Sequence, residues 1–192
     1  IDGPGNDTIN VPTVDAERVL LTLNLSSGGS DTVIIAEDVV SITDAGVRIN
    51  NFTTGLGVGA DALDLRTGVA TAFNSGPINF VTLTTAGGVT ANTIVEINQA
   101  AFTATSLTDT SNGGLVEAAL AGAFTTTSAN LAAADDGAST VFVVLYGAGA
   151  ASGSAGIYSM VITSGADLTG GNIGTADISV ELIGLLTNIT AD

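Results

Sequence analysis

The chain has 192 residues, with 19 acidic side chains, three arginines, no lysine, no histidine and no cysteine, and its net charge is −16. So large a negative charge repels phosphate groups, which excludes nucleic acids and anionic membrane surfaces as expected partners. Without histidine or cysteine, the chain has no Ser-His-Asp triad, no thiolate metal site and no disulfide.

The composition predicts a mainly β fold. Apolar residues make up 45% of the chain but aromatic residues only 4%, so the core is built from small and branched side chains. Such residues favour closely stacked β layers over a helical bundle. No apolar run reaches the roughly 18 residues of a transmembrane helix. The chain begins without Met and ends at Asp192, and we expect it to be part of a longer protein.

The first third of the chain repeats one local pattern. Residues 1–10 (IDGPGNDTIN) and 26–35 (SSGGSDTVII) each hold a glycine turn, an aspartate, a threonine and then an apolar strand. Strands are also predicted at residues 18–25, 39–42 and 47–52. Glycine supplies the unusual backbone angles of such turns. Aspartates placed by glycine turns beside small strands suit a hard cation that takes oxygen ligands.

These segments resemble the nonapeptide repeat of the RTX (repeats-in-toxin) family, G-G-x-G-x-D-x-U-x, where U is a large apolar residue. Residues 2–10 match it, with Asp2 at the first glycine position, and residues 26–34 match it less closely. The matching positions are Gly3, Gly5, Asp7 and Ile9 in the first copy and Gly29, Asp31 and Val33 in the second. The resemblance implies a β-roll that binds Ca²⁺ between successive turns of the chain.

Residues 49–65 (INNFTTGLGVGADALDL) resemble the segment that often closes such arrays, with Asn51 replacing its first aspartate and an enlarged loop before Asp61. Asp61 and Asp64 are its strongest predicted ligands. The resemblance therefore implies a calcium site within residues 1–66. Its candidate ligands are Asp2, Gly3, Gly5, Asp7, Gly29, Asp31, Asn51, Asp61 and Asp64.

Residues 67–192 carry fewer acids and are predicted to form a second, β-rich module. Apolar segments predict strands at 80–85, 93–98, 140–146, 157–163 and 178–182, with 140–146 and 157–163 paired as a hairpin. The spacing of apolar residues predicts a helix over 115–124, capped by Asn112, and permits a second at 130–134.

Residues 139–163 and 178–189 resemble the C-terminal module called the bluetail domain, found on bacterial RTX-like surface proteins. The resemblance rests on the strand 141–146, the small-residue turn 147–156, Gly156-Ile157-Tyr158 and the closing segment 182–192. It implies export by type I secretion and an extracellular or cell-surface location.

We therefore expect a short RTX-like β-roll or β-sandwich, residues 1–66, leading into a β-rich module with one or two short helices, residues 67–192. The expected function is a calcium-binding building block of a surface layer or filament, which self-associates and has cell-surface polysaccharide as a possible partner. The alternative is a non-catalytic C-terminal secretion and folding region of an RTX enzyme or adhesin. We expect no catalytic activity, because the paired acids Asp135 and Asp136 lack the aromatic platforms that bind sugars.

Overall fold

A computed structural model describes eleven segments of the chain, and the prediction of a mainly β fold is confirmed. The described residues are 4–11, 22–25, 28–35, 47–54, 58–64, 79–83, 93–97, 103–111, 113–123, 139–162 and 175–191. The predicted strand at 39–42 and helix at 130–134 lie outside them, as do Asp135 and Asp136.

Twelve strands, one α-helix and two short 3-10 helices form in these segments. The strands are β1 (Thr8–Val11), β2 (Thr22–Asn24), β3 (Thr32–Ile35), β4 (Val47–Asn50), β5 (Thr53–Thr54), β6 (Ala62–Asp64), β7 (Asn79–Leu83), β8 (Thr93–Ile97), β9 (Ser139–Tyr146), β10 (Ala155–Ile162), β11 (Ile178–Thr187) and β12 (Thr190–Ala191). The helices are α1 (Leu115–Ala123) and the 3-10 helices Gly149–Ala151 and Thr175–Asp177.

The strands form three sheets with the orders β1-β3-β6, β2-β4-β11-β10-β9-β8-β7 and β12-β5. All strand pairs are parallel except the two made by β10, which is antiparallel to β9 and to β11. The predicted β9–β10 hairpin is therefore confirmed. The seven-stranded sheet contains β2 and β4, which precede residue 66, and β7–β11, which follow residue 67. The domain boundary between residues 66 and 67 stays a prediction.

The first strands stack as coils of a parallel solenoid. β1 and β2 belong to the first coil, β3 and β4 to the second, and each strand of the second coil pairs in parallel with its counterpart in the first. β6 begins a third coil on β3. β4 pairs with β2 on one edge and with β11, from the C-terminal part of the chain, on the other edge, where a strand of the third coil would lie. The C-terminal segment thus completes the third coil.

Among the residues that the structure describes, two buried apolar clusters join the two larger sheets and the helix. One joins side chains of the three-stranded sheet and the solenoid part of the larger sheet, including Val33, Ile49 and Ile183. The other joins β8–β11 to α1 through Val116 and Leu120. Branched residues at alternating positions of β3 and β4 supply the first cluster because successive side chains of a strand point to opposite faces.

Two carboxylates, Asp109 before helix α1 and Glu117 within it, bind main-chain amides at the start of the helix. Asp109 Oδ2 accepts the Leu115 amide at 3.1 Å, and the buried Glu117 Oε2 accepts the Gly113 amide at 2.6 Å. The first amides of a helix have no partner within it, so Asp109 supplies one for Leu115. Glu117 reaches back to Gly113, two residues before the helix begins. Asn112, the predicted cap, lies outside the described residues, and its role stays a prediction.

Candidate functional site

Three turns with the spacing Gly-x-Asp precede the strands of the three-stranded sheet. They are residues 5–7 before β1, 29–31 before β3 and 59–61 before β6. The register aligns Thr8 with Thr32 and Thr32 with Ala62, so the preceding aspartates are level on neighbouring strands. Neighbouring strands lie about 4.8 Å apart. We call Asp7, Asp31 and Asp61 the aspartate ladder.

Each step of the aspartate ladder is a hydrogen bond from a main-chain amide to the carboxylate of the next coil. The Asp7 amide donates to Asp31 Oδ1 at 2.9 Å, and the Asp31 amide donates to Asp61 Oδ1 at 3.0 Å. Asp31 is only 1% exposed. Hydrogen bonds to an ionised carboxylate are stronger than neutral ones, so these contacts stabilise the buried charge.

The ladder ends in a two-way contact between Asp61 and Thr53. The Thr53 amide donates to Asp61 Oδ2, and the Asp61 amide donates to the Thr53 carbonyl, both at 2.8 Å. Thr53 begins β5, directly after the corner that follows β4. The third turn is thus fixed to two parts of the second coil at once.

A second set of hydrogen bonds uses the middle side chains of the first two turns as acceptors and runs in the opposite direction along the stack. The Ser30 amide donates to Asn6 Oδ1 at 2.9 Å, and the Gly59 amide donates to Ser30 Oγ at 2.8 Å. Sequence analysis missed Asn6 and Ser30. Their signal is their shared place, one residue before an aspartate of the ladder.

Gly29 is the glycine on which the close stacking of the turns depends. Its φ angle is +127°, and a Cβ atom there would lie 2.1 Å from the Gly5 carbonyl oxygen. Gly5 is different, because a Cβ atom on it would meet nothing within 4 Å. Position 29 therefore requires glycine for two reasons, the lack of space for a Cβ atom and the positive φ angle.

Asparagines form a second ladder at the corner that follows β4 and β11. Asn51 Nδ2 donates to Asn24 Oδ1 at 2.5 Å, and Asn188 Nδ2 lies 3.4 Å from Asn51 Oδ1. Asn51 and Asn188 both have positive φ angles, 60° and 53°. Asparagine tolerates this left-handed conformation better than most residues. We call Asn24, Asn51 and Asn188 the asparagine ladder.

The structure brings together only part of the predicted site. Gly5, Asp7, Gly29, Asp31 and Asp61 all lie in the stacked turns. Asn51 belongs to the asparagine ladder, and Asp64 ends β6 at the level of Ile34. Asp2 and Gly3 lie outside the described residues. Residues 59–61, predicted as part of a closing segment, repeat the same turn as the first two copies.

The aspartates of the ladder lie one on each of three successive coils. In the described part of the chain, no three acidic side chains converge as a group able to hold a metal ion. The carboxylates of Asp31 and Asp61 each accept main-chain amides from the preceding coil, which fixes their orientation. A carboxylate has about four acceptor positions, so an amide at one position is compatible with a cation at another.

Two tyrosines in the C-terminal strands bind polar partners. Tyr158 OH donates to the Leu107 carbonyl at 2.7 Å, and burial raises the pKa of Tyr158. Tyr146 OH donates to Glu96 Oε1 at 2.8 Å. Burial first, and then the bond to Glu96 and its negative charge, raise the pKa of Tyr146 to about 12. Both hydroxyls are therefore protonated donors at neutral pH.

Comparison with protein-family models, with curated proteins and with solved structures gives no match for this chain. No helix in the described segments is long and apolar enough to cross a membrane.

Proposed function

We propose that the protein is a calcium-binding structural building block of an extracellular bacterial assembly, either a surface layer or a filament, exported by type I secretion. The observation that carries this proposal is the aspartate ladder, which stacks Asp7, Asp31 and Asp61 at one end of a parallel sheet. The RTX-like spacing of the turns and the net charge of −16 support the same conclusion.

Electrostatic repulsion within the ladder favours a bound cation. Two unit charges 4 Å apart repel by about 1 kcal/mol in bulk water and by about 4 kcal/mol at the effective dielectric constant near a protein surface. Main-chain amides offset part of this repulsion in the calcium-free chain. A divalent cation takes carboxylate, amide and hydroxyl oxygens as ligands, and the stacked turns carry all three types. Calcium that binds only the folded coils stabilises them by mass action.

A structural role fits the way in which the polar side chains are used. The side chains of two aspartates, an asparagine and a serine accept hydrogen bonds from the main chain of a neighbouring coil; they are Asp31, Asp61, Asn6 and Ser30. The asparagine ladder likewise joins coils through side-chain amides. These contacts fix the register of parallel strands, which is the property that a repetitive extracellular scaffold requires.

Thermal unfolding with calcium and with a chelator tests the cation. We expect calcium to raise the Tm, with a stabilisation of about 2.7 kcal/mol when its concentration is 100 times the Kd. Asp61→Asn should reduce this calcium-dependent shift, because it removes one charge of the ladder. Asp109→Asn is the matched control, since Asp109 accepts hydrogen bonds from Ser111 and Leu115 at the start of α1, away from the stacked turns. An equal Tm with calcium and with chelator would refute calcium binding.

Negative-stain microscopy and analytical ultracentrifugation test the assembly. The proposed function predicts sheets or filaments in calcium. A folded, calcium-stabilised monomer at every concentration would instead support the alternative, a non-catalytic secretion and folding region.

A further inference from the structure

The two outer strands of the seven-stranded sheet run in the same direction. β2 is parallel to β4 and β4 to β11, while β10 reverses the direction and β9 restores it. β8 and β7 then continue parallel to β9. Among the strands that the structure describes, β2 has only β4 as a neighbour and β7 has only β8. The sheet therefore presents two codirectional edges at its opposite ends.

We propose that the β7 edge of one copy pairs in parallel with the β2 edge of a second copy, an inference that rests on the proposed assembly function. Each added copy leaves one β2 edge and one β7 edge at the ends of the growing array. Such a head-to-tail interface is heterologous, and it produces an open filament unless the rotation between copies closes a ring. Strand addition at a sheet edge gains main-chain hydrogen bonds.

The sequences of the two edge strands favour this pairing. Natural sheets commonly block their edges with charged residues or proline. β2 (TLN) and β7 (NFVTL) contain neither, although the chain carries 19 acids. The outer strand β6 of the three-stranded sheet, by contrast, includes Asp64. The negative charge of the chain is therefore absent from the two strands that would meet.

The geometry of β2 leaves Thr22 available for a contact. The Leu25 amide donates to the Asn50 carbonyl, so alternate residues of this strand direct their main-chain groups toward β4. Thr22 and Asn24 lie at the intervening positions, and their main-chain groups face away from β4. Thr22 is also an exposed residue. A parallel partner strand at this edge would lie about 4.8 Å away.

Disulfide trapping tests the interface without interference from native cysteines, because the chain has none. Thr22→Cys is mixed in turn with five single variants that carry cysteine at positions 79 to 83, which samples every register. Disulfides form between residues whose Cα atoms are about 4.4 to 6.8 Å apart, a range that includes neighbouring strands. All variants are first checked for wild-type circular dichroism, and Ser152→Cys, at an exposed turn, is the control.

The expected result is a disulfide-linked heterodimer from at least one mixture and a ladder of multimers from the corresponding double variant. Two outcomes overturn the proposal. Homodimers of Thr22→Cys alone would show a two-fold interface that closes, and wild-type assemblies without any heterodimer would show that other surfaces pair. A wild-type chain that stays monomeric under assembly conditions refutes the proposed function itself, and this inference with it.

Discussion

The main-chain nitrogen of Asp31 lies 3.0 Å from Oδ1 of Asp61, although the two residues are 30 positions apart in sequence. The Asp31 carboxylate in turn accepts the amide of Asp7, 24 positions before it. Asp31 thus joins three successive coils, because its side chain binds the first coil and its main-chain amide binds the third. Because Asp31 is 1% exposed, water cannot readily replace either partner.

Replacement of Asp31 by alanine should therefore destabilise the chain strongly. The substitution leaves the Asp7 amide without its acceptor, at a cost of about 1–3 kcal/mol. For a chain of this size, each 1 kcal/mol lowers the Tm by about 2–4 °C. Asp31→Asn should cost less, because its carbonyl oxygen can still accept the amide. Differential scanning calorimetry measures both, with the exposed Ser152→Ala as control; equal Tm values for all three would contradict the ladder's role.

A methyl group at position 29 should prevent the close approach of the first two turns. Gly29→Ala places its Cβ atom 2.1 Å from the Gly5 carbonyl and also forces a non-glycine residue to adopt a φ of +127°. We expect a loss of several kcal/mol, since strained backbone alone costs about 1–3 kcal/mol. Gly5→Ala is the control and should change stability little. Urea unfolding compares the two, and similar midpoints would argue against the stacking.

The repeated turns could be found in the sequence because their spacing is local. The pattern Gly-x-Asp followed by an apolar strand locates Asp7 and Asp31, and β1 and β3 form where it predicts them. The same pattern at Gly59 and Asp61 lies within residues 49–65, whose resemblance to a closing segment predicts a different role for it. The three copies are equivalent because the register between coils aligns them. The sequence of one copy alone does not show this register.

The place of β11 could not be predicted from the sequence. A strand at residues 178–182 follows from its apolar residues, but the strand extends to Thr187 and its last part pairs with β4. That pairing joins residues 137 positions apart at Asn50 and Thr187, whose side chains also form a hydrogen bond. Long-range parallel pairing depends on the packing of the whole chain, so periodicity within one segment gives no signal for it.

The hydroxyl of Tyr158 should contribute more to the free energy of unfolding than the hydroxyl of Tyr146 does. Tyr158→Phe removes the buried donor of the Leu107 carbonyl, and an unsatisfied buried acceptor costs about 1–3 kcal/mol. Tyr146→Phe is the matched control, because its hydroxyl is only partly buried. Urea unfolding of both variants gives the difference, which should appear in the midpoint with an unchanged m-value. A larger loss in Tyr146→Phe would contradict the assignment.

Alkaline pH should destabilise the fold through Tyr146. Its pKa in the folded chain is about 12, whereas a tyrosine in the unfolded chain titrates near about 10. The folded chain therefore binds the proton more tightly. The stabilisation is fully present below about pH 10 and is lost as the pH rises through about 12. Ultraviolet absorbance of tyrosinate follows the titration, and unfolding experiments across the same pH range follow stability.

The Glu96→Gln variant separates the causes of the raised pKa at Tyr146. Burial is the largest cause and is unchanged by the substitution, while the negative charge of Glu96 is removed. We expect the pKa of Tyr146 to fall but to stay above about 10, because the desolvated tyrosinate remains unfavourable. The chain has only two tyrosines, so Tyr158→Phe leaves Tyr146 as the sole reporter. An unchanged titration in Glu96→Gln would show that Glu96 does not interact with the Tyr146 hydroxyl in solution.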